Sequence, residues 1–85
     1  MTRDLSGIAA DLEAEIGKAS PPIAGVLKFF RFAHLIERAA ALAEVSSEFA
    51  TLAVSTARRS SNAETTVALR KLLEAKDAGV RAVLP

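Results

Sequence analysis

Leu5, Ile8, Leu12 and Ile16 recur at the spacing of one helix face, and Asp11, Glu13 and Glu15 fall off that stripe. The pattern predicts an amphipathic helix from about Asp4 to Lys18 with an acidic outer face. Gly7 weakens its first turn, and Gly17 with the run Ala19-Ser20-Pro21-Pro22 breaks it. A second segment opens at residue 21, where Ser20 suits an N-cap and proline suits the first helical position. Within residues 21–35, Lys28-Phe29-Phe30-Arg31-Phe32-Ala33-His34 alternates bases with aromatics. This stretch has no polar stripe wide enough for a simple surface helix, so helical, extended and mixed backbone are all open to it.

The third segment reads as a helical hairpin. Its first arm runs from about Ile36 to Arg59. Leu35, Leu42, Val45, Phe49, Leu52 and Thr56 follow a mostly a/d rhythm. Ala39, Ala43, Ala50, Ala53 and Ala57 form a small-residue flank beside it, which lets another helix axis come close. Arg58 and Arg59 suit the negative end of the helix dipole. After the turn Arg59-Ser60-Ser61-Asn62, the run Ser61-Asn62-Ala63-Glu64 fits a capping box, with Ser61 as N-cap and Glu64 as its reciprocal partner. The second arm reaches about Leu84. Thr66, Leu69, Leu73, Lys76, Val80 and Val83 make its seam, and Leu72 and Leu84 widen it. Two matched helices around a short polar turn form an antiparallel αα-hairpin.

The fold expected is therefore all-α, in one domain. A short N-terminal amphipathic helix occupies residues 1–20, an aromatic and basic connecting segment residues 21–35, and a long antiparallel helical hairpin residues 36–85. Two helices alone cannot bury an apolar face on each. The N-terminal helix covers one side, and another copy of the chain is expected to cover the rest in a closed symmetric oligomer. Length supports this: a chain of 85 residues buries only roughly 60–65% of its unfolded surface.

Composition removes several function classes. The chain has no cysteine and one histidine, which excludes disulfides, thiolate zinc sites, Cys nucleophiles and His-based metal clusters. Lys and Arg number 11 against 10 Asp and Glu, a net charge of +1, too balanced for a protein whose affinity comes from coating duplex DNA. At 51% hydrophobic residues the chain is not disordered. No apolar run reaches the roughly 18 residues of a membrane span. The opening MTRDLSG does not read as a signal peptide. The expectation is a soluble cytoplasmic protein without cofactor, membrane or DNA partner.

Catalysis has little to stand on. No nucleophile or orienting carboxylate is tied to His34, and a lone histidine between Phe32 and Leu35 is more often a packed or solvent-tipped ring, with a ligand contact the next reading. Glu74 and Asp77 share a helix face, but their basic neighbours Lys71, Lys76 and Arg81 favour ion pairs over a metal. The better lead is the basic and aromatic cluster. Phenyl rings such as Phe30 and Phe32 can stack on bases, at about 1–3 kcal/mol per base. Lys28, Arg31 and Arg38 can neutralise phosphates, arginine with a planar fork. The competing reading is that the rings staple the N-terminal segment to the hairpin. Arg70, Lys71, Lys76 and Arg81 add a second basic set, which is either a solvated face or, in a symmetric oligomer, an anion site built from copies of one residue.

Residues 29–85 resemble a family. The runs Ala68-Leu69-Arg70-Lys71-Leu72-Leu73-Glu74-Ala75 and Val80-Arg81-Ala82-Val83-Leu84-Pro85, with Phe30-Arg31-Phe32-Ala33-His34-Leu35 upstream, look like the helical-hairpin domain of small phage proteins. That family includes the sponges that sequester the cyclic oligonucleotide signals of bacterial immunity, in CBASS and Thoeris systems. The resemblance implies a non-enzymatic hexamer of one short and two long helices. It implies cyclic dinucleotides, and in some members cyclic trinucleotides at separate sites, held between protomers. By position, Phe32 matches the stacking aromatic, Arg31 or Lys28 the phosphate partner, and Arg81 a second, axial site. The chain departs from the pattern in lacking tyrosine and in having Ile36 after His34-Leu35, where a proline-containing turn is expected. The function implied is stoichiometric capture of the signal. The alternative is a helical oligomerisation or adaptor module without a small ligand, and a third reading is a single-stranded nucleic-acid binder.

Overall fold

In a computed structural model, which describes residues 4–84, four α-helices and two short 3₁₀ turns follow one another, with no strand among the described residues. Residues 1–3 of the N-terminal segment and the closing Pro85 lie outside the described residues. Helix α1 spans Leu5–Lys18, α2 Pro21–Leu27, α3 Ala40–Arg59 and α4 Ala63–Val83. The all-α expectation holds.

Asp4 caps α1, its Oδ1 accepting the Gly7 amide at 2.9 Å. Extended backbone at Ala19 and Ser20 ends this helix and starts the next, with proline in the first turn of α2. The connecting segment is mixed. After α2 come 3₁₀ turns at Lys28–Phe30 and Ala33–Leu35, with Arg31 extended between them. The amides of Arg38 and Ala39 both bond back to the Leu35 carbonyl, closing one more turn before the chain changes direction at Ala39 (φ −152°, ψ 75°). Helix α3 therefore begins at Ala40, four residues later than its hydrophobic rhythm predicts.

Helix α3 packs against both α1 and α4, and α2 bridges α1 and α4. This arrangement turns α3 about its axis relative to the predicted seam. Its buried side chains are Ala43, Ser46, Ser47, Ala50, Ala53 and Val54, so the supposed flank is the core face. Leu52, expected in the seam, is 52% exposed, while Leu42, Val45 and Phe49 are half-buried. The reason is steric. A helix with neighbours on two sides can bring both close only where its own side chains are small. Gly79 serves the same end on α4: a Cβ there would lie 2.9 Å from Cε2 of Phe49. The volume that small residues leave open is filled from the connecting segment, whose Phe30 and Phe32 join Leu12, Ile23, Leu27 and Leu69 in the core.

Asn62, and not Ser61, caps α4: its Oδ1 accepts the Thr65 amide at 3.1 Å. The Ser60 and Thr65 hydroxyls bond each other at 2.6 Å, so Thr65 is inward and the seam starts there, one residue before the expected Thr66. Leu69 is fully buried, whereas Val83 and Leu84 are exposed. Asn62→Ala is expected to cost about 1 kcal/mol and Ser61→Ala almost nothing. Urea denaturation of the two variants tests the cap directly, and equal losses would overturn it.

Candidate functional site

Three elements meet at one groove. Phe29 is the middle residue of its 3₁₀ turn, its ring outward and 66% exposed, and its carbonyl accepts Lys76 Nζ of α4 at 3.0 Å. This bond ties the connecting segment to the end of the hairpin. Between them opens a groove of about 410 Å³ lined by Phe29, Arg31, His34, Leu35, Ser46, Lys76, Asp77, Val80 and Arg81. Lys76 with Val80, and Asp77 with Arg81, reach it as two pairs four positions apart, a spacing that keeps each pair on one face of α4. Lys76 also lies 3.8 Å from Asp77, an ion pair of the kind expected for this stretch.

Ser46 lines the groove from α3. Its hydroxyl is buried and has no hydrogen-bond partner among the described residues. Its neighbours on the helix do: Ser47 donates to the Glu44 carbonyl at 2.7 Å and Thr51 to the Ser47 carbonyl at 2.9 Å. A buried hydroxyl left without a partner costs roughly 1–3 kcal/mol, so a polar atom seated beside Ser46 would recover that cost.

Arg31 stands at the side of the groove nearest α1. Its Nε and Nη2 donate to Glu13 Oε2 and Oε1 at 2.8 and 2.9 Å, a two-pronged pair. The guanidinium hydrogen bond holds the Glu13 carboxyl below the ordinary carboxylate range, and the same bond raises Arg31. Because the Glu13 value is lowered on folding, the pair's contribution is present above the ordinary carboxylate range and is lost as pH falls through the lowered one. Both side chains are half-exposed, so the contribution to stability is small.

Of the sequence-predicted site residues, the fold brings Arg31, His34 and Arg81 together. Arg38 lies with the other side of His34 in a separate depression with Ser6 and Glu37. Arg70 lines a further one at the start of α4, beside Asn62 and Thr66. Lys28 and Lys71 are exposed. Phe30 and Phe32 are 0% exposed and offer no ring face to a ligand. The stacking assignment for these two rings is corrected accordingly: they are core, and Phe29 is the ring turned outward. Ser46 is absent from the sequence reading, while Phe29 and Lys76 belong to its aromatic cluster and second basic set without being singled out there. Phe29 is one of three similar rings in four positions, and nothing local ranks them. Ser46 carries no motif.

A larger groove, about 520 Å³, runs between α1 and α3 past Asp11, Thr51, Arg58 and Arg59. Near it Glu15 is buried, accepting Arg58 Nε at 3.0 Å, with Lys18 Nζ at 3.8 Å. The acidic outer face expected of α1 thus loses Glu15, which follows Leu12 by three positions and so shares its face. Arg58, expected to serve the helix dipole, reaches across to α1 and neutralises this carboxylate. The pair fastens α1 to α3.

Among the described residues no cluster of His, Asp and Glu could hold a metal ion, and no helix is long and apolar enough to cross a membrane. No family model, curated protein or solved structure matches the chain.

Proposed function

We propose that the chain is a non-enzymatic sponge that captures a cyclic oligonucleotide immune signal, of the CBASS or Thoeris type, in the cytoplasm of an infected bacterium. The observation that carries this reading is the groove itself. An outward phenyl ring, two arginines, a lysine and a histidine line one space, with Asp77 among them and Ser46 beneath, its buried hydroxyl without a hydrogen-bond partner among the described residues, at the junction of the basic and aromatic stretch with the hairpin. The resemblance of residues 29–85 to phage hairpin proteins supports the same class of ligand. In this reading Phe29 stacks on a base, Arg31 and Arg81 take phosphate oxygens, and His34 contacts a polar edge of the ligand. The sponge is a closed symmetric oligomer, a hexamer by resemblance. The exposed apolar side chains Leu52, Val83 and Leu84 are the surface a neighbouring copy covers. Lys28, Arg38, Arg70 and Lys71 are left for contacts that a second copy completes.

The same exposed apolar side chains also favour the adaptor reading, which keeps the oligomer and omits the ligand. Calorimetric titration with cyclic dinucleotides and trinucleotides separates the two. Phe29→Ala is expected to weaken binding by about 1–3 kcal/mol, the value of one base stack. Arg81→Ala is expected to weaken it by about 1.5–3 kcal/mol, a charge-assisted hydrogen bond. Both variants should keep the parent melting temperature. A parent that binds none of these nucleotides ends the sponge reading, and a stable monomer by light scattering ends the oligomer.

A further inference from the structure

The guanidinium that borders the groove is already occupied. Arg31 presents two parallel N–H donors, Nε and Nη2, and both Glu13 carboxylate oxygens sit on them at 2.8 and 2.9 Å. A phosphate offers two oxygens to the same fork in the same way. That edge of Arg31 can serve one of them at a time.

Glu13 has only a small part in holding α1 down. The helix is docked by Leu12, which is buried, and by the Glu15–Arg58 pair, in which the carboxylate is buried. The Glu13 side chain is 54% exposed and its partner 47%, so it can swing into solvent while α1 stays in place. Nor is it one charge among equals on α1. Asp11 lines the other groove, beside Arg58 and Arg59, and Glu15 faces Arg58.

We infer that Glu13 is a built-in competitor: an internal carboxylate that fills the Arg31 fork of the empty protein and is displaced when an anionic ligand takes that fork. The inference rests on the ligand reading above for the kind of anion, a phosphodiester. It adds a function for α1, which is to set the affinity threshold of the groove. Occupation by Glu13 makes abundant simple anions pay the displacement. A ligand with several further contacts in the groove tolerates that cost more easily.

Exposed ion pairs of this kind are weak, so the effect expected is modest, a two- to fivefold change in Kd. The test is calorimetry on the full chain with two probes, 3′,3′-cyclic diadenylate and inorganic pyrophosphate. Five proteins are compared: parent, Glu13→Gln, Asp11→Asn, Arg31→Ala, and Glu13→Gln combined with Arg31→Ala. Glu13→Gln is expected to tighten binding of a probe by about two- to fivefold. Asp11→Asn, which makes the same change in net charge, should leave Kd near the parent value. Measured against Arg31→Ala alone, the double variant should show no gain. Equal tightening by Glu13→Gln and Asp11→Asn would reduce the effect to overall charge and overturn the inference, as would a gain that survives loss of Arg31. If the parent binds the cyclic dinucleotide but Glu13→Gln does not tighten it, the competitor is wrong and the ligand reading stands. If only pyrophosphate binds, and Glu13→Gln tightens it, the competitor stands and the nucleotide reading falls. If neither probe binds either protein, an unlatched Arg31 takes no anion and both fall.

Discussion

Phe32→Ala, and Phe30→Ala beside it, should each destabilise the protein by about 3–5 kcal/mol, the usual cost of emptying a buried phenyl site. Both rings are 0% exposed, within a core otherwise built largely from alanines of α3 and aliphatics of α1, α2 and α4. Small neighbours cannot collapse far into the space left, which places the cost toward the upper part of that range. A domain of this size holds only about 5–15 kcal/mol in total. At roughly 4–8 °C per kcal/mol for a chain of this length, the melting temperature should fall by more than about ten degrees. Phe29→Ala is the internal comparison. Its ring is outward, so its thermal transition should match the parent while its ligand affinity drops. If Phe32→Ala melts like the parent, the connecting segment is not docked as described, and the assignment of Phe29 to the groove goes with it.

Leu69→Ala is the second large effect, about 2–5 kcal/mol. Leu69 is fully buried on α4, the helix that packs on both α3 and α2. Removing it opens a gap where three helices meet. Leu73, one turn on, is half-buried, and its truncation should cost less. Val83→Ala and Leu84→Ala, at exposed positions near the end of α4, should leave the fold of a single chain unchanged and act on association alone. Urea unfolding of the four variants at one protein concentration, with light scattering at the same concentration, separates loss of fold from loss of assembly. An unchanged midpoint for Leu69→Ala would mean that α4 packs through another face.

Periodicity and breakers determined which parts of the chain are helical. The stripe Leu5, Ile8, Leu12, Ile16 and the prolines at 21 and 22 bound α1 and start α2 where both are found. The end of α3 at Arg59 and the polar turn after it follow from the run of Ser and Asn that begins at Ser60. These are local matters, because a proline ring, a capping side chain or a 3.6-residue repeat acts within a few positions. Position within the fold is another matter. Hydrophobicity ranks Leu52 above Ala50 and Ala53, yet α3 lies between two helices, and close approach of their axes favours the smaller side chains for the inner face. Ser61 and Asn62 are both good caps, and the one chosen is the one that leaves Thr65 turned into the core. Glu15 could face water until Arg58, far away in sequence, comes to meet it. Among three neighbouring phenylalanines, the two that fill the gap left by alanines are buried, and Phe29 is left outside. The groove is the clearest case. Phe29, Ser46, Lys76 and Arg81 are brought to one space by the turn before α3 and the fold-back of α4, and no pattern within a single helix records that meeting.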